Sequence, residues 1–168
     1  MINIVLFEPE IPQNTGNIMR TCAGTYTKLH LIRPLGFSMS EKALKRSGVN
    51  YLEHCDYQVY DDWEDFVNNN QGSFYFVENY GTKLYTDFDY SNIEENIYLI
   101  FGKESTGIPK EIAKQYRDRC LRIPINDNIR ALNLSNCVAL VLFEVLRQQG
   151  YPNLKQEDAF RGKDYLID

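Results

Sequence analysis

The stretch Ile97-Tyr98-Leu99-Ile100-Phe101-Gly102-Lys103-Glu104-Ser105-Thr106-Gly107-Ile108-Pro109 passes from an apolar run to a glycine-bounded polar loop and then to a proline. A short run of β-branched and aromatic residues predicts a buried strand, and a proline after a polar loop predicts the start of a helix, here Pro109 to Arg117. The same alternation recurs along the chain. Ile2–Phe7, Leu29–Arg33, Ser73–Glu78 and Cys120–Ile125 read as further strands. Helical segments are expected after Pro12-Gln13-Asn14-Thr15-Gly16, around Ser40–Ser47 and over Asp61–Asn69. Strands alternating with helices predict an α/β fold with a mostly parallel sheet flanked by helices.

The last helix is predicted over Ser135–Gln149, where Val138, Val141, Leu142, Val145 and Leu146 repeat at helical spacing, with Ser135 or Asn133 able to cap and Gly150 and Pro152 beyond its end. Its apolar stripe serves either the core or a subunit interface. The 168 residues form about one domain, 1–168, with 155–168 polar enough for a loosely ordered tail.

The opening stretch is not a nucleotide loop. A phosphate loop needs glycine where Ile97 stands and Ser or Thr where Glu104 stands, and the dinucleotide fingerprint needs its second glycine where Lys103-Glu104 lie. A carboxylate amid exposed amides repels phosphate but accepts from an amine, a hydroxyl or another loop. Glu104 therefore points to a ligand without phosphates, or else complements the dipole of the helix after Pro109.

Two further stretches carry chemistry. Asn14 to Arg20 lies at a turn-rich helix entry just past the first strand, where α/β sheets bind ligands. Arg122 to Asn136 runs from a strand through a long polar loop to an asparagine-rich helix start, and loops of that length between core elements are often functional.

The net charge of −5 argues against bulk electrostatic gripping of nucleic acid, although Lys42, Lys45 and Arg46 share helical spacing and could form a local patch. No apolar run reaches the roughly 18 residues of a membrane span. The start of the chain lacks the features of a secretory signal, and Cys22, Cys55, Cys120 and Cys137 have no metal-site spacing, which suits reduced thiols and no metal.

In chain order these stretches supply N-x5-R at Asn14 and Arg20, G-x-E-x-x-G at Gly102, Glu104 and Gly107, and N-x-S at Asn133 and Ser135. That series resembles the SPOUT class of RNA methyltransferases. From Met1 to Pro152 the chain is most similar to the small single-domain tRNA wobble-base 2′-O-methyltransferases.

The resemblance implies a C-terminal deep trefoil knot, S-adenosylmethionine as methyl donor, a cytoplasmic homodimer pairing through the first and last helices, which would make the stripe from Val138 to Leu146 interfacial, and the tRNA anticodon stem-loop as substrate. It implies methylation of the ribose 2′-hydroxyl of cytidine or uridine 34. It assigns Arg20, with Asn14, Glu104 and Asn133, to the reaction site, and backbone groups near Val77, Gly102, Ile123, Ala131 and Leu132 to the adenosine.

A guanidinium stays charged, so Arg20 suits stabilising the developing alkoxide or holding the adjacent phosphate, with the proton leaving to a phosphate oxygen or water. Ala131 departs from the serine frequent at that place in the wider group. The candidate RNA contacts are Lys42, Lys45, Arg46 and Arg130. Methylation of another RNA, such as ribosomal RNA, and a non-catalytic binding module are the alternatives.

Overall fold

The computed structural model describes residues 1–40, 52–158, 160 and 161. Seven strands form one sheet: β1 (Ile2–Phe7), β2 (Lys28–Ile32), β3 (Tyr57–Tyr60), β4 (Ser73–Val77), β5 (Lys83–Leu84), β6 (Ile97–Phe101) and β7 (Cys120–Arg122). Their spatial order is β3-β2-β1-β6-β4-β7-β5, and every pairing is parallel. The described helices are α1 (Pro12–Thr25), α2 (Trp63–Asn69), α3 (Lys110–Gln115) and α4 (Leu134–Gln148).

β1 and β6 lie at the centre, and all their residues are buried. A parallel sheet covered on both faces needs apolar side chains on both, so β6 reads as an unbroken apolar run and β1 is interrupted only by Asn3, whose Nδ2 donates to Ile97 O at 3.2 Å. On one face Ile4, Leu6, Leu29, Leu31, Leu99 and Phe101 pack against Ile18, Met19 and Cys22 of α1 and against the stripe of α4. On the other, Val5, Phe7, Phe74, Phe76, Tyr98 and Ile100 pack with Phe66 of α2 and Ala113 of α3. The result is three layers, helix–sheet–helix.

The stripe Val138, Val141, Leu142, Val145 and Leu146 is at most 2% exposed within one protomer. This settles the two alternatives for it: the stripe is core and is not available to a partner. The exposed apolar side chains of α4 are Leu140 and Phe143 on its opposite side.

α1 starts at Pro12, earlier than expected after Gly16, because Pro12 occupies the first helical turn, where its missing N–H costs nothing. Asn133, not Ser135, caps α4: its side-chain Oδ1 accepts from Ser135 N at 2.9 Å and from Ser135 Oγ at 2.6 Å. β7 ends at Arg122, short of the expected Ile125, since Pro124 cannot donate to a ladder. β3 and β5 were not expected: β3 is a short, largely exposed edge strand and β5 has two residues, so neither carries an apolar run. The helix expected at 40–47, the patch Lys42, Lys45 and Arg46, and most of the tail 155–168 lie outside the described residues.

The strand order is interleaved in the second half of the chain. After β4 it moves outward to β5, returns inward past β4 to β6, then goes out again to β7 between β4 and β5. Gly81, between β4 and β5, lies so close to β7 that a Cβ there would stand 2.5 Å from the carbonyl carbon of Leu121. No described helix is long and apolar enough to cross a membrane.

Candidate active site

Strand order reverses at β1 and β6: the chain after β1 builds one half of the sheet, and β6 borders the other. The crevice beyond the carboxyl ends at such a switch point is where α/β sheets bind ligands. Here the loop 8–11 after β1 meets the loop 102–109 after β6, and the long segment 123–133 after β7 closes over them.

The Gly102–Gly107 loop folds back on itself. Gly107 N donates to Lys103 O at 2.9 Å, and a Cβ on Gly102 would stand 2.3 Å from the carbonyl carbon of Gly107, so only glycine fits. Gly107 has φ 71, in the left-handed region that favours glycine.

Glu104 answers why this loop holds a carboxylate. Its Oε2 accepts from Glu10 N at 2.8 Å, while its Oε1 accepts from Ile11 N at 3.3 Å and from Asn14 Nδ2 at 3.0 Å. Glu10 reciprocates, accepting from Ser105 N at 2.9 Å and from Ser105 Oγ at 2.8 Å. Lys103 Nζ pairs with Glu8 at 2.6 Å, and that hydrogen bond holds the Lys103 ammonium above its ordinary pKa. Glu104 thus ties the loop to the entrance of α1 and makes no hydrogen bond to α3.

Asn14 continues the chain of bonds. Its Oδ1 accepts from Asn133 Nδ2 at 3.0 Å, so Glu104, Asn14 and Asn133, from three separate stretches, form one connected line. Asn14 is 6% exposed, and at that depth an unpaired amide is costly.

These residues rim a cavity of about 610 Å³. Val77, Gly102, Ile123, Ala131 and Leu132, expected around an adenosine, all line it, as do Asn14, Glu104, Asn133 and Arg130. Arg20 does not: it is exposed on α1, outside the cavity wall of its own protomer.

Sequence reasoning missed Glu78 and Tyr80, which also line the cavity. Glu78 Oε1 accepts from Ile108 N at 2.7 Å, and burial pushes its carboxyl up to about 7. Tyr80 is 53% exposed at the rim, and its phenol is raised above its ordinary range, first by desolvation and then by Glu78. The available signal was a charged residue directly at the carboxyl end of a buried strand, Val77-Glu78.

The SpoU rRNA methylase family model matches residues 1–143. A Geobacillus stearothermophilus protein, provisionally named tRNA (cytidine(34)-2′-O)-methyltransferase, is 51% identical over 154 residues, 91% of this chain and 98% of its own. The Yersinia pestis tRNA (cytidine(34)-2′-O)-methyltransferase is 43% identical over 159 residues, covering 90% of this chain and 96% of its own. A solved structure concerned with 2-OH methylation of C/U34 on tRNA superposes with a TM-score of 0.80 at 36% identity, covering 89% of this chain and 97% of that one. An AdoMet-bound rRNA methyltransferase from Sinorhizobium meliloti shares the fold, with a TM-score of 0.75 at 23% identity over 87% of this chain and 56% of that one. The chain belongs to the SpoU methylase family.

Proposed function

We propose that this protein is an S-adenosylmethionine-dependent tRNA 2′-O-methyltransferase acting on the wobble ribose, cytidine or uridine 34, with the whole chain 1–168 as one cytoplasmic methyltransferase domain. The observation that carries this reading is the hydrogen-bonded line Glu104–Asn14–Asn133 at the rim of a cavity beyond the sheet's switch point. The named relatives, similar over nine-tenths of the chain, supply the substrate.

The cavity suits this donor. Its charged lining residues are Glu78, Lys103, Glu104 and Arg130, with Lys103 already paired to Glu8, so it has no cluster of cations for phosphates but does have a carboxylate to face a cation. Backbone groups of Gly102, Ile123, Ala131 and Leu132 would hold the adenosine, and because these contacts are main-chain, Ala131 in place of serine is tolerated. When bound, the sulfonium supplies an already activated methyl group.

The protein's own work is positioning. Glu104 and Asn14 tie the loop after β6 to the entrance of α1, Asn133 anchors the loop after β7 to them, and these residues would hold the reacting hydroxyl in line with the methyl group, which would supply much of the rate. Arg20 would stabilise the alkoxide or clamp the neighbouring phosphate, with the proton released to a phosphate oxygen or water.

A homodimer pairing through α1 and α4 would bring Arg20 to a cavity of the partner subunit, because it does not line this cavity in its own protomer. The exposed Leu140 and Phe143 support such a face. Arg130, and Lys42, Lys45 and Arg46 outside the described residues, would meet the anticodon stem-loop. The interleaved order of β4 to β7, with Gly81 against the backbone of Leu121, favours reading this half as the deep trefoil knot. A metal is not needed for this chemistry.

Arg20→Ala should leave S-adenosylmethionine affinity by calorimetry near that of the parent and lower the single-turnover rate on tRNA by about two orders of magnitude, as for loss of one oxyanion donor. Equal rates would remove Arg20 from the mechanism.

A further inference from the structure

Glu78 is the carboxylate in the cavity wall that the loop network leaves open. Where Glu104 spends both oxygens on Glu10, Ile11 and Asn14, Glu78 accepts one hydrogen bond, from Ile108 N to Oε1, and no ion pair of the described residues reaches it. It follows directly on β4, beside Val77, and presses against the loop opposite: a Cβ on Gly107 would lie 2.7 Å from its Oε2.

Resting on the donor reading above, we propose that Glu78 is a specificity-determining residue that makes the cavity charge-selective, favouring the cationic methyl donor over its neutral thioether product. The two ligands differ by one methyl group and one positive charge. A carboxylate within about 10 Å of that charge, the scale of this cavity, separates them by on the order of tenfold at an effective dielectric of ~20. Such a preference speeds exchange of product for donor, because the product leaves a site that no longer holds it by charge.

The preference depends on ionisation, and burial pushes the Glu78 carboxyl up to about 7. The groups facing it are the Tyr80 phenol on its own segment, the Cys120 thiol of β7, Lys103 and Glu104 on the opposite loop, and Arg130 on the covering loop. Lys103 is neutralised by Glu8, and the Tyr80 and Cys120 groups are raised, so both stay neutral across the working range.

Calorimetry with S-adenosylmethionine and with S-adenosylhomocysteine, at pH 5.5 and 8.5, tests this on the parent, Glu78→Gln and Glu78→Asp. Referring the donor-to-product affinity ratio to that of Glu78→Gln cancels the ligands' own titration. The ratio in the parent should then rise about tenfold between the two pH values, and Glu78→Asp, still charged, should retain a preference. If both ligands weaken in parallel in Glu78→Gln, the residue merely props the glycine loop; that overturns the proposal and leaves the donor reading standing. If neither ligand binds the parent at either pH, the donor reading falls, and this proposal with it.

Discussion

Replacing Glu104 with glutamine tests whether the carboxylate is the tie between the glycine loop and the start of α1. The parent side chain accepts three hydrogen bonds, from Glu10 N, Ile11 N and Asn14 Nδ2. Glutamine keeps one acceptor oxygen and turns an NH2 toward at least one backbone N–H, so one charge-assisted bond is lost outright and the others become neutral. A hydrogen bond to a charged group contributes about 1.5–3 kcal/mol, and the partly buried site limits how far water can compensate, which sets the expected loss at about 2 kcal/mol. For a chain of this size that lowers Tm by about 4–8 °C. Urea denaturation of the parent, Glu104→Gln, Asn14→Ala and the double variant gives the loss and the Glu104–Asn14 coupling, expected at about 1 kcal/mol because the two side chains are in direct contact. A Glu104→Gln protein within about 0.5 kcal/mol of the parent, or strictly additive losses, would refute the idea that this carboxylate holds the loops together.

The other predictions concern acid stability and assembly. His30 is buried, its Nδ1 2.9 Å from Tyr60 Oη and its Nε2 3.1 Å from Asn3 Oδ1, and burial, aided by Lys28, lowers its pKa to about 4 from 6.5. The unfolded chain therefore takes up a proton below about 6.5 while the folded one stays neutral down to about 4, so about 3 kcal/mol of stability, complete above that window, is lost on acidification through it. Glu78, raised to about 7, acts in the opposite direction between its ordinary 4.5 and 7, so the measurement belongs in Glu78→Gln protein. There, denaturation midpoints should fall from pH 7 to 4, and a flat profile would contradict a neutral buried imidazole. Changing Leu140 and Phe143 together to Asp should yield folded monomers by light scattering, whereas the same change at Val141 and Leu142, both 0% exposed, should unfold the protomer. A folded dimer that survives the first change would move the interface off this face of α4.

The strands that position the site were legible because burial on both faces leaves β6 wholly apolar and β1 and β4 apolar or aromatic except for the buried Asn3 and Ser73. β3 and β5 escaped for the opposite reason: an exposed edge strand and a two-residue strand have no apolar run to reveal them. Asn14, Glu104 and Asn133 were legible only as motif members, since nothing local says that side chains 90 and 119 positions apart share hydrogen bonds. The apolar stripe of α4 was unambiguous as a helix face but silent about what covers it. Its five residues are filled by α1 and the sheet of the same chain. Glu78 was visible as a charge at a strand end, but its significance needed the opposite loop, whose Ile108 N–H donates to Oε1 and whose Gly107 packs against Oε2, and the cavity that the residue lines.

The most direct test of the central claim is to incubate the protein with unfractionated tRNA lacking 2′-O-methylation and with S-adenosylmethionine labelled in its methyl group, then to locate the label by nuclease mapping and mass spectrometry. The account predicts label on the 2′-oxygen of cytidine or uridine at position 34. Label confined to another position or to ribosomal RNA supplied in parallel, or no label from a protein that binds the donor, would contradict it.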